Sequence, residues 1–290
     1  MMKFTQSIRK LFANEDLNFL LTNRIPRHTA TVWMGWFSKI EIPWVRDLSI
    51  YVWRIFTDVD LSEAKKQSFK SLHDCFVREL REGVRSIDPH ESVVTSPSDG
   101  IVGECGSITN GQVFQAKGFP YKISELLGAS VDPQSLEGGV YVTLRLTSAM
   151  YHRFHAPYQG KIDRVVYHSG DTWNVNPIAL RRIEKLFCMN ERAMISMRIG
   201  SAQHQIYLVP VAAILVASIR LHGLNILLNS RYRGDHNIEC DLTCTKGQEL
   251  GWFEHGSTII VFAPRGFELA PGIKSGEHIK MGCSLLTLPD

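Results

Sequence analysis

The stretch 253-FEHGSTIIVFAP-264 joins a short polar segment to an unbroken apolar run. The apolar run covers residues 259–263 and is bounded by turn signals, so residues 257–263 are predicted to form a buried strand. A plain turn before such a strand would use Asn-Gly or Asp-Gly, whereas this chain has Gly256, Ser257 and Thr258. The reason for a hydroxyl at the entrance to a buried strand depends on which other reactive groups the chain brings to Ser257.

Short strand signals of the same kind continue on either side of this stretch, from about residue 92 onward. The segment 140-VYVTLRLT-147 is the other clear strand. In the tail, glycines at 272, 276 and 282 flank short apolar runs, which is typical of closely spaced hairpins. Residues 89–290 are therefore predicted to form one mostly antiparallel β domain.

The first 88 residues have a different pattern and are predicted to be helical. In 42-IPWVRDLSIYVWRIF-56, a proline near the start is followed by apolar residues at helical spacing. Four of the six tryptophans lie between Trp33 and Trp53, among several arginines and lysines. Tryptophans and basic residues on an amphipathic helix are typical of a membrane interface. The alternative is a helical layer that packs on the core or on a partner subunit, and the residues alone favour neither.

Composition excludes several classes of protein. The chain has 290 residues, of which 44% are hydrophobic and 21% charged, as in ordinary globular proteins. The formal net charge is only +3 and no run of five lysines or arginines occurs, so the sequence does not predict nucleic-acid binding. The longest apolar stretch, residues 206–219, contains Pro210 and is shorter than the roughly 20 residues that span a bilayer. It predicts two buried strands, and the N-terminus lacks the apolar region of a signal peptide.

Cysteine and histidine spacing gives no sign of a metal site. The six cysteines are scattered without a Cys-x-x-Cys pair, which favours reduced thiols and a cytosolic protein. His152 and His155 have the spacing of a metal pair only on a helix, and Pro157 favours a strand end or a loop instead. No further cluster of cysteine or histidine accompanies them, so we predict no bound metal.

Three stretches combine reactive side chains with turn signals. SPSDG supplies Asp99, YHRFHAP supplies His152 and His155, and HGST supplies Ser257. Together they provide the set of groups that orients an imidazole, deprotonates a hydroxyl and attacks a carbonyl. Each has an ordinary alternative, since Asp-Gly is a common turn and Gly-Ser-Thr alone carries no signal. The chain lacks a Gly-x-Ser-x-Gly elbow, which excludes an α/β-hydrolase.

Many motifs in a fixed order extend over nearly the whole chain. They are DVDLSEA, FVRELREGVRSID, SPSDGIV, QAKGFPYKISELL, YHRFHAP, SGDTWNVN, NERAM and KGQELGWFEHGSTIIVFAP. In these motifs the chain resembles the bacterial, membrane-associated (type I) phosphatidylserine decarboxylases, which are pyruvoyl-dependent enzymes. One residue departs from the family pattern, because His255 stands where an apolar residue, commonly leucine, usually precedes Gly-Ser-Thr. The departure bears on the rate of processing and removes none of the reacting groups.

The resemblance implies that the chain makes its own covalent cofactor, a pyruvoyl group, from Ser257. The Ser257 hydroxyl would attack the carbonyl of Gly256, with His155 as general base and Asp99 orienting that base. Elimination from the resulting ester would cut the chain into a large β chain, residues 1–256, and a small α chain, residues 257–290.

The same resemblance implies the reaction and its location. The pyruvoyl ketone would form a Schiff base with the amine of phosphatidylserine, and loss of CO2 would lead to phosphatidylethanolamine. His152 would engage the substrate carboxylate and reprotonate the product, or it would only support His155. The chain would bind the cytoplasmic side of the cell membrane peripherally, as a heterodimer of its two fragments, with a homodimer of these left open.

The expected fold is α+β. N-terminal amphipathic helices, residues 1–88, would pack on the β domain, residues 89–290, whose C-terminal hairpins would resemble a biotinyl- or lipoyl-carrier fold. Two rival functions stay open. A pyruvoyl-dependent decarboxylase of a soluble amino acid would have no use for the tryptophan-rich layer. A non-catalytic carrier-like binding protein would be expected to have a Met-Lys-Met or Asp-Lys-Ala context, which this chain lacks.

Overall fold

The computed structural model describes residues 14–116, 118–215, 218–254 and 257–289. Within these ranges, four helices precede the first strand: α1 (Glu15–Asn23), α2 (Arg27–Phe37), α3 (Pro43–Phe56) and α4 (Leu72–Phe76). Shorter helices lie between later strands: α5 (Ile123–Leu127), a 3-10 helix (Pro133–Leu136), α6 (Pro177–Leu180) and α7 (Leu186–Met189).

The other described elements are strands, and every pairing between them is antiparallel. In chain order they are β1 (Val93–Thr95), β2 (Gly100–Ser107), β3 (Gln112–Ala116), β4 (Phe119–Lys122), β5 (Val140–Leu146), β6 (Arg153–His155), β7 (Gly160–His168), β8 (Arg192–Ile199), β9 (His204–Ala212), β10 (Ile219–Leu221), β11 (Ile226–Leu228), β12 (Asn237–Cys244), β13 (Glu249–Phe253), β14 (Ser257–Ala263), β15 (Glu268–Leu269), β16 (His278–Ile279) and β17 (Ser284–Thr287). The predicted α+β class with mostly antiparallel sheets is confirmed.

Local signals explain where the helices begin. The Asn14 side chain accepts a hydrogen bond from the Leu17 N–H at 3.0 Å and caps α1. The helix α3 begins at Pro43, whose fixed φ suits the first helical turn. The helix α4 begins after Ser71, whose hydroxyl accepts a hydrogen bond from the Asp74 N–H at 3.1 Å.

The largest sheet has eight strands in the order β12-β7-β8-β9-β14-β5-β2-β16. The strand β14 pairs with β9 on one side and β5 on the other. All seven of its residues are buried, which accounts for the unbroken apolar run, because both faces of this strand are covered. Smaller sheets have the orders β11-β10-β13-β6, β1-β17-β15 and β3-β4.

Alternate side chains of the large sheet enter two hydrophobic cores, one on each face. One core includes Leu144 and Ile259 together with Phe154 and Phe253 of the four-stranded sheet. The opposite face forms the second core with residues of α5, α6 and α7. Because Ser257 is two residues before Ile259, its side chain lies on the face that meets the four-stranded sheet.

Of the apolar stretch 206–219, residues 206–212 lie in β9 and only Ile219 lies in β10, so the prediction of two buried strands within the stretch holds for one strand. Pro210 lies inside the central strand β9 rather than between the two strands. Pro210 pairs with Ile259 of β14. On its other side, the pairs with β8 jump from Arg192–Val211 to Ile195–Leu208, so Pro210 has no partner on β8. The missing N–H of a proline is therefore accommodated by a local gap in one ladder.

The helices α2 and α3 have large apolar side chains that remain exposed. Trp53 of α3 packs inward on Phe76 of α4, with ring centroids 5.8 Å apart. Seven large apolar side chains of these helices are 41–70% exposed: Trp33, Trp36, Trp44, Leu48, Tyr51, Val52 and Phe56. None of the described helices is both long enough and apolar enough to cross a membrane.

Candidate active site

Ser257 is the first residue of β14 and lies at one end of the large sheet. Its partners across the ladder are Leu146, the last residue of β5, and Ala212, the last residue of β9. Asp99 directly precedes β2, which pairs with β5 at the same end of the sheet. Because β5 lies between β2 and β14, the backbones at Asp99 and Ser257 are separated by two strand spacings, about 10 Å.

Backbone hydrogen bonds attach the histidine segment to the same end of the sheet. The His155 N–H donates to the Pro97 carbonyl at 2.8 Å, which holds β6 beside the SPSDG loop. The Phe253 N–H donates to the His152 carbonyl at 2.9 Å, in the segment that leads to Ser257. The three stretches that the sequence singled out therefore meet in the fold.

The Ser257 side chain is wholly buried. Its Oγ has no hydrogen-bond partner among the described residues. The hydroxyls of Ser98, Thr143, Thr172 and Thr258 are in the same state, so burial without a described partner does not by itself single out Ser257. Gly256, the predicted target of the attack, and His255 fall outside the described residues.

His155 is held as a neutral imidazole with a defined tautomer. Its Nδ1 lies 2.9 Å from the Gly247 carbonyl oxygen, and because a carbonyl only accepts, Nδ1 carries the proton. Its Nε2 therefore carries the lone pair and accepts a hydrogen bond from the Tyr151 hydroxyl at 3.0 Å. Burial lowers the pKa of His155, so the ring is an unprotonated base near neutral pH.

Asp99 has a different partner from the predicted one. Both carboxylate oxygens accept hydrogen bonds from Arg85, with Nε to Oδ1 at 2.9 Å and Nη2 to Oδ2 at 2.5 Å. The Met281 N–H also donates to Oδ1 at 2.9 Å. Within the described residues no hydrogen bond joins Asp99 to His155, because the two-point contact with Arg85 occupies the carboxylate. In this structure the Gly247 carbonyl, and not Asp99, orients the imidazole.

His152 is wholly buried and packs against Phe76, with ring centroids 4.1 Å apart. Its Nδ1 lies 2.9 Å from the Met150 carbonyl oxygen and carries the proton, while Nε2 has no partner among the described residues. Burial lowers the pKa of His152 to about 3, so the ring is neutral at pH 7. Nε2 can accept a proton or a hydrogen bond there, but the neutral ring offers no positive charge to a carboxylate.

Glu254 connects the segment before Ser257 to the helical layer. This buried carboxylate lies 3.4 Å from Lys39 Nζ and 3.8 Å from His73 Nε2. Lys39 follows α2, and His73 lies in α4. Burial lowers the pKa of His73 although the Glu254 charge opposes the shift. The segment that leads to the predicted cleavage site is thus held by the N-terminal helices.

A groove of about 1020 Å³ lies between the helical layer and this end of the sheet. Its helical wall is apolar and includes Trp36, Trp44 and Val52. Its sheet wall includes Arg145 and Leu146, the residue that pairs with Ser257. The groove therefore joins the exposed apolar side of the helices to the end of the sheet that carries the candidate site.

Three participants in this site were not assigned roles from the sequence. Arg85 and Tyr151 stand in motifs that carried the resemblance, FVRELREGVRSID and YHRFHAP, but no spacing rule connects them to Asp99 or His155. Gly247 acts through its backbone carbonyl, which has no signature in a sequence. Elsewhere in the described ranges, no group of three or more histidine, cysteine or acidic side chains is arranged to hold a metal ion. All six cysteines are free.

The fold and site define a class of protein: an α+β chain with an amphipathic helical layer and a buried serine that begins a central strand beside two neutral histidines. The profile of the phosphatidylserine decarboxylase family matches residues 72–287. The chain is 32% identical over 273 residues to a phosphatidylserine decarboxylase proenzyme of Brevibacillus brevis, covering 92% of this chain and 96% of the relative. It is 29% identical over 290 residues to a proenzyme of the same name from Acinetobacter baumannii, covering 97% and 98%. The chain belongs to the phosphatidylserine decarboxylase family.

Proposed function

We propose that this chain decarboxylates phosphatidylserine to phosphatidylethanolamine and CO2. Family membership over nearly the whole chain supports this, since the relatives carry that activity in their names. The observation that carries the proposal is the buried Ser257 hydroxyl, which lacks a described partner where three reactive segments converge. Other buried hydroxyls, such as those of Ser98 and Thr143, also lack a described partner, so the convergence of the three segments is what distinguishes Ser257.

We propose further that Ser257 cuts the chain. Its Oγ attacks the Gly256 carbonyl while His155 Nε2 takes the hydroxyl proton and the Gly247 carbonyl holds the Nδ1 proton. The Tyr151 hydroxyl, which now donates to Nε2, relays the proton or releases that bond. The Gly256 acyl group moves to the serine oxygen. Loss of the Ser257 α-proton then expels the Gly256 carboxylate and leaves an unsaturated residue, which water converts to pyruvoyl with release of ammonia.

The residues present fit a pyruvoyl group at position 257. It would supply an electrophilic ketone for the substrate amine and an electron sink while CO2 leaves. Its position between β5 and β9 is wholly buried in the uncut chain, so neighbouring side chains exclude water from it. His152 Nε2 is the nearby unpaired base that we assign to proton transfer during decarboxylation. Asp99 keeps its predicted catalytic assignment in this proposal, although in this structure Arg85 binds its carboxylate.

The domain and location predictions belong to this proposal. Residues 1–88 form the membrane-binding layer and residues 89–290 the catalytic domain, peripheral on the cytoplasmic side of the membrane. The fragments 1–256 and 257–290 stay associated as a heterodimer, because β14 pairs with β9 and β5 of the large fragment. We also propose that the C-terminal hairpins have the carrier-like fold expected from their glycine spacing.

The test of this function is CO2 release from phosphatidylserine in vesicles and from free serine. We expect release from vesicles in the wild type and none in Ser257→Ala. Release from free serine at an equal rate would instead favour a decarboxylase of a soluble amino acid. No release from either substrate by cleaved wild-type protein would contradict the proposal.

A further inference from the structure

The carboxyl group of Glu191 is buried without a hydrogen-bond partner among the described residues. Glu191 is 1% exposed, and both of its carboxyl oxygens are unpaired. Asp163 is the other acid of these ranges with an unpaired buried oxygen, but its second oxygen forms an ion pair with Arg198 at 3.1 Å. An ionised carboxylate without compensation is costly in a protein interior, so the fold favours the protonated acid at Glu191.

Glu191 lies in the same row of the large sheet as Ser257. The pairing of β8 with β9 reaches Arg192 and Val211, so the next position sets Glu191 opposite Ala212. The Ala212 N–H donates to the Glu191 carbonyl at 2.8 Å, and on its other side Ala212 pairs with Ser257. The backbones at Glu191 and Ser257 are therefore two strand spacings apart, about 10 Å.

The side chains of this row are on one face of the sheet. Ala212 belongs to the core between the large sheet and the four-stranded sheet, and so does Ala193, two residues after Glu191. Because side chains alternate along a strand and directly opposed residues share a face, Glu191 and Ser257 are both on that face. Only the methyl group of Ala212 stands between them in the row. A molecule bonded at position 257 that extends over Ala212 would therefore meet the Glu191 carboxyl group.

The histidines lie on the opposite side of Ser257, toward β5 and β2, and have no proton to give at neutral pH. His152 and His155 each donate their Nδ1 proton to a backbone carbonyl, which leaves Nε2 with a lone pair. The Asp99 carboxylate is bound by Arg85. When an amine condenses with a ketone, the ketone oxygen must take protons before it leaves as water. The neutral imidazoles accept protons, so the site needs a separate acid.

We propose that Glu191 is a further catalytic residue, the acid that protonates the oxygen of the ketone at position 257 as an amine adds to it. The amine nitrogen gives its electron pair to the ketone carbon, and the oxygen takes the Glu191 proton. One amine proton then passes through the Glu191 carboxylate to the same oxygen, which leaves as water. The nitrogen keeps one proton and a positive charge, which the Glu191 carboxylate balances. The proposal rests on the proposed function for the presence of the ketone.

The groups around Glu191 set the pH range in which it acts as an acid. Burial and the Asp171 charge raise the pKa of Glu191 to about 7, while the Tyr167 hydroxyl on β7 opposes the shift. Asp171 is itself paired with Arg27 at 2.6 Å. Two further titratable rings pack on Tyr167: Tyr232 and His236. Glu191 therefore holds its proton below pH 7 and loses it as the pH rises through that value.

The test measures how fast methylhydrazine traps the ketone of the folded, cut protein, because its nitrogen adds to the ketone as a substrate amine does. Intact mass first establishes that Glu191→Gln is cut like the wild type. At about pH 6, trapping should be roughly 10- to 100-fold slower in Glu191→Gln, since glutamine has the same shape but no acidic proton. The ratio of the two rates should approach one above about pH 8, where the wild-type carboxyl group is ionised. Glu239→Gln is the control, because Glu239 is an exposed acid of the edge strand β12, and it should match wild type.

Tyr167→Phe is a second variant that keeps the acid. Because the Tyr167 hydroxyl opposes the rise in the pKa of Glu191, its removal should move the fall in trapping rate to higher pH, which a merely structural Glu191 would not produce. Trapping needs no phospholipid, so a wild type that forms the ketone but does not decarboxylate phosphatidylserine would contradict the proposed function and leave this assignment standing. A rate ratio that stays constant across the pH range, or a Glu191→Gln chain that is not cut, would overturn the assignment. Absence of a ketone in the wild type would overturn both.

Discussion

At the residue scale, His152 and His155 lie three positions apart but have different surroundings. His155 Nε2 accepts from Tyr151 beside the SPSDG loop, whereas His152 Nε2 is unpaired among the described residues and its ring packs on Phe76. Burial lowers the pKa of both histidines, so both imidazoles are neutral near pH 7. Neither proposed role therefore requires a protonated imidazole. The proposed division assigns self-cleavage to His155 and decarboxylation to His152.

Two alanine variants test this division. His155→Ala should remain uncut, because no other base is assigned to take the Ser257 proton. His152→Ala should be cut normally and should carry a ketone that a hydrazine reagent traps, while its turnover falls roughly 10²–10⁴-fold. A gel for cleavage beside an assay for CO2 release distinguishes the two. Cleavage in His155→Ala together with none in His152→Ala would reverse the assignment.

Glu191 is a buried acid at the same end of the large sheet. Its carbonyl accepts the Ala212 N–H at 2.8 Å, and Ala212 pairs with Ser257. Burial raises the pKa of Glu191 from 4.5 to about 7, although the Tyr167 hydroxyl opposes the shift. Since the folded chain holds the proton more tightly than the unfolded chain, this stabilisation is fully present below pH 4.5 and is lost as the pH rises through 7.

Glu191→Gln should therefore remove a pH dependence of stability. Relative to the glutamine variant, the glutamate protein should lose on the order of 3 kcal/mol of unfolding free energy between pH 4.5 and 8. Urea unfolding of both proteins in a Ser257→Ala background keeps one uncut chain, and other titrating groups cancel in the comparison. An equal difference at both pH values would show that Glu191 does not titrate in this range.

At the scale of elements, periodicity and burial predicted the main parts of the fold. The strands β5 and β14 and the helix α3 stand where their apolar patterns placed them, because each pattern reports a face that must leave water. The predicted contact between Asp99 and His155 is not among the described hydrogen bonds. Arg85 binds the Asp99 carboxylate, and the Gly247 carbonyl accepts from the His155 imidazole. Arg85 and Gly247 lie far in sequence from the residues that they contact, and Gly247 acts through its backbone. No local spacing in the sequence therefore predicts these contacts.

The exposed side of α2 and α3 should bind membranes. Trp36 is 64% and Trp44 is 70% exposed, and tryptophan partitions to the bilayer interface. Replacing both with serine should lower co-sedimentation with anionic liposomes several-fold, and wild-type binding should weaken as salt rises. Phe114→Ser is the control, because Phe114 is 46% exposed on β3, outside the helical layer. Equal sedimentation of all three proteins would assign the helices a purely structural role.

At the scale of the whole molecule, the predicted cut would separate two fragments that remain interleaved. β14 belongs to the small fragment and lies between β9 and β5 of the large one. β16 pairs with β2, and β17 pairs with β1. The proposed cut would leave these ladders intact, so the candidate site at this end of the sheet would keep its neighbouring strands.

The central claim is that Ser257 cuts the chain and becomes the reactive group, and intact mass under denaturing conditions tests it most directly. Wild type should give two fragments that meet between Gly256 and Ser257, and the smaller one should lack a free N-terminal amine and react with a hydrazine. Ser257→Ala should give one chain of full mass. A full-length wild-type chain with an ordinary serine, or a Ser257→Ala chain cut at the same bond, would contradict the account.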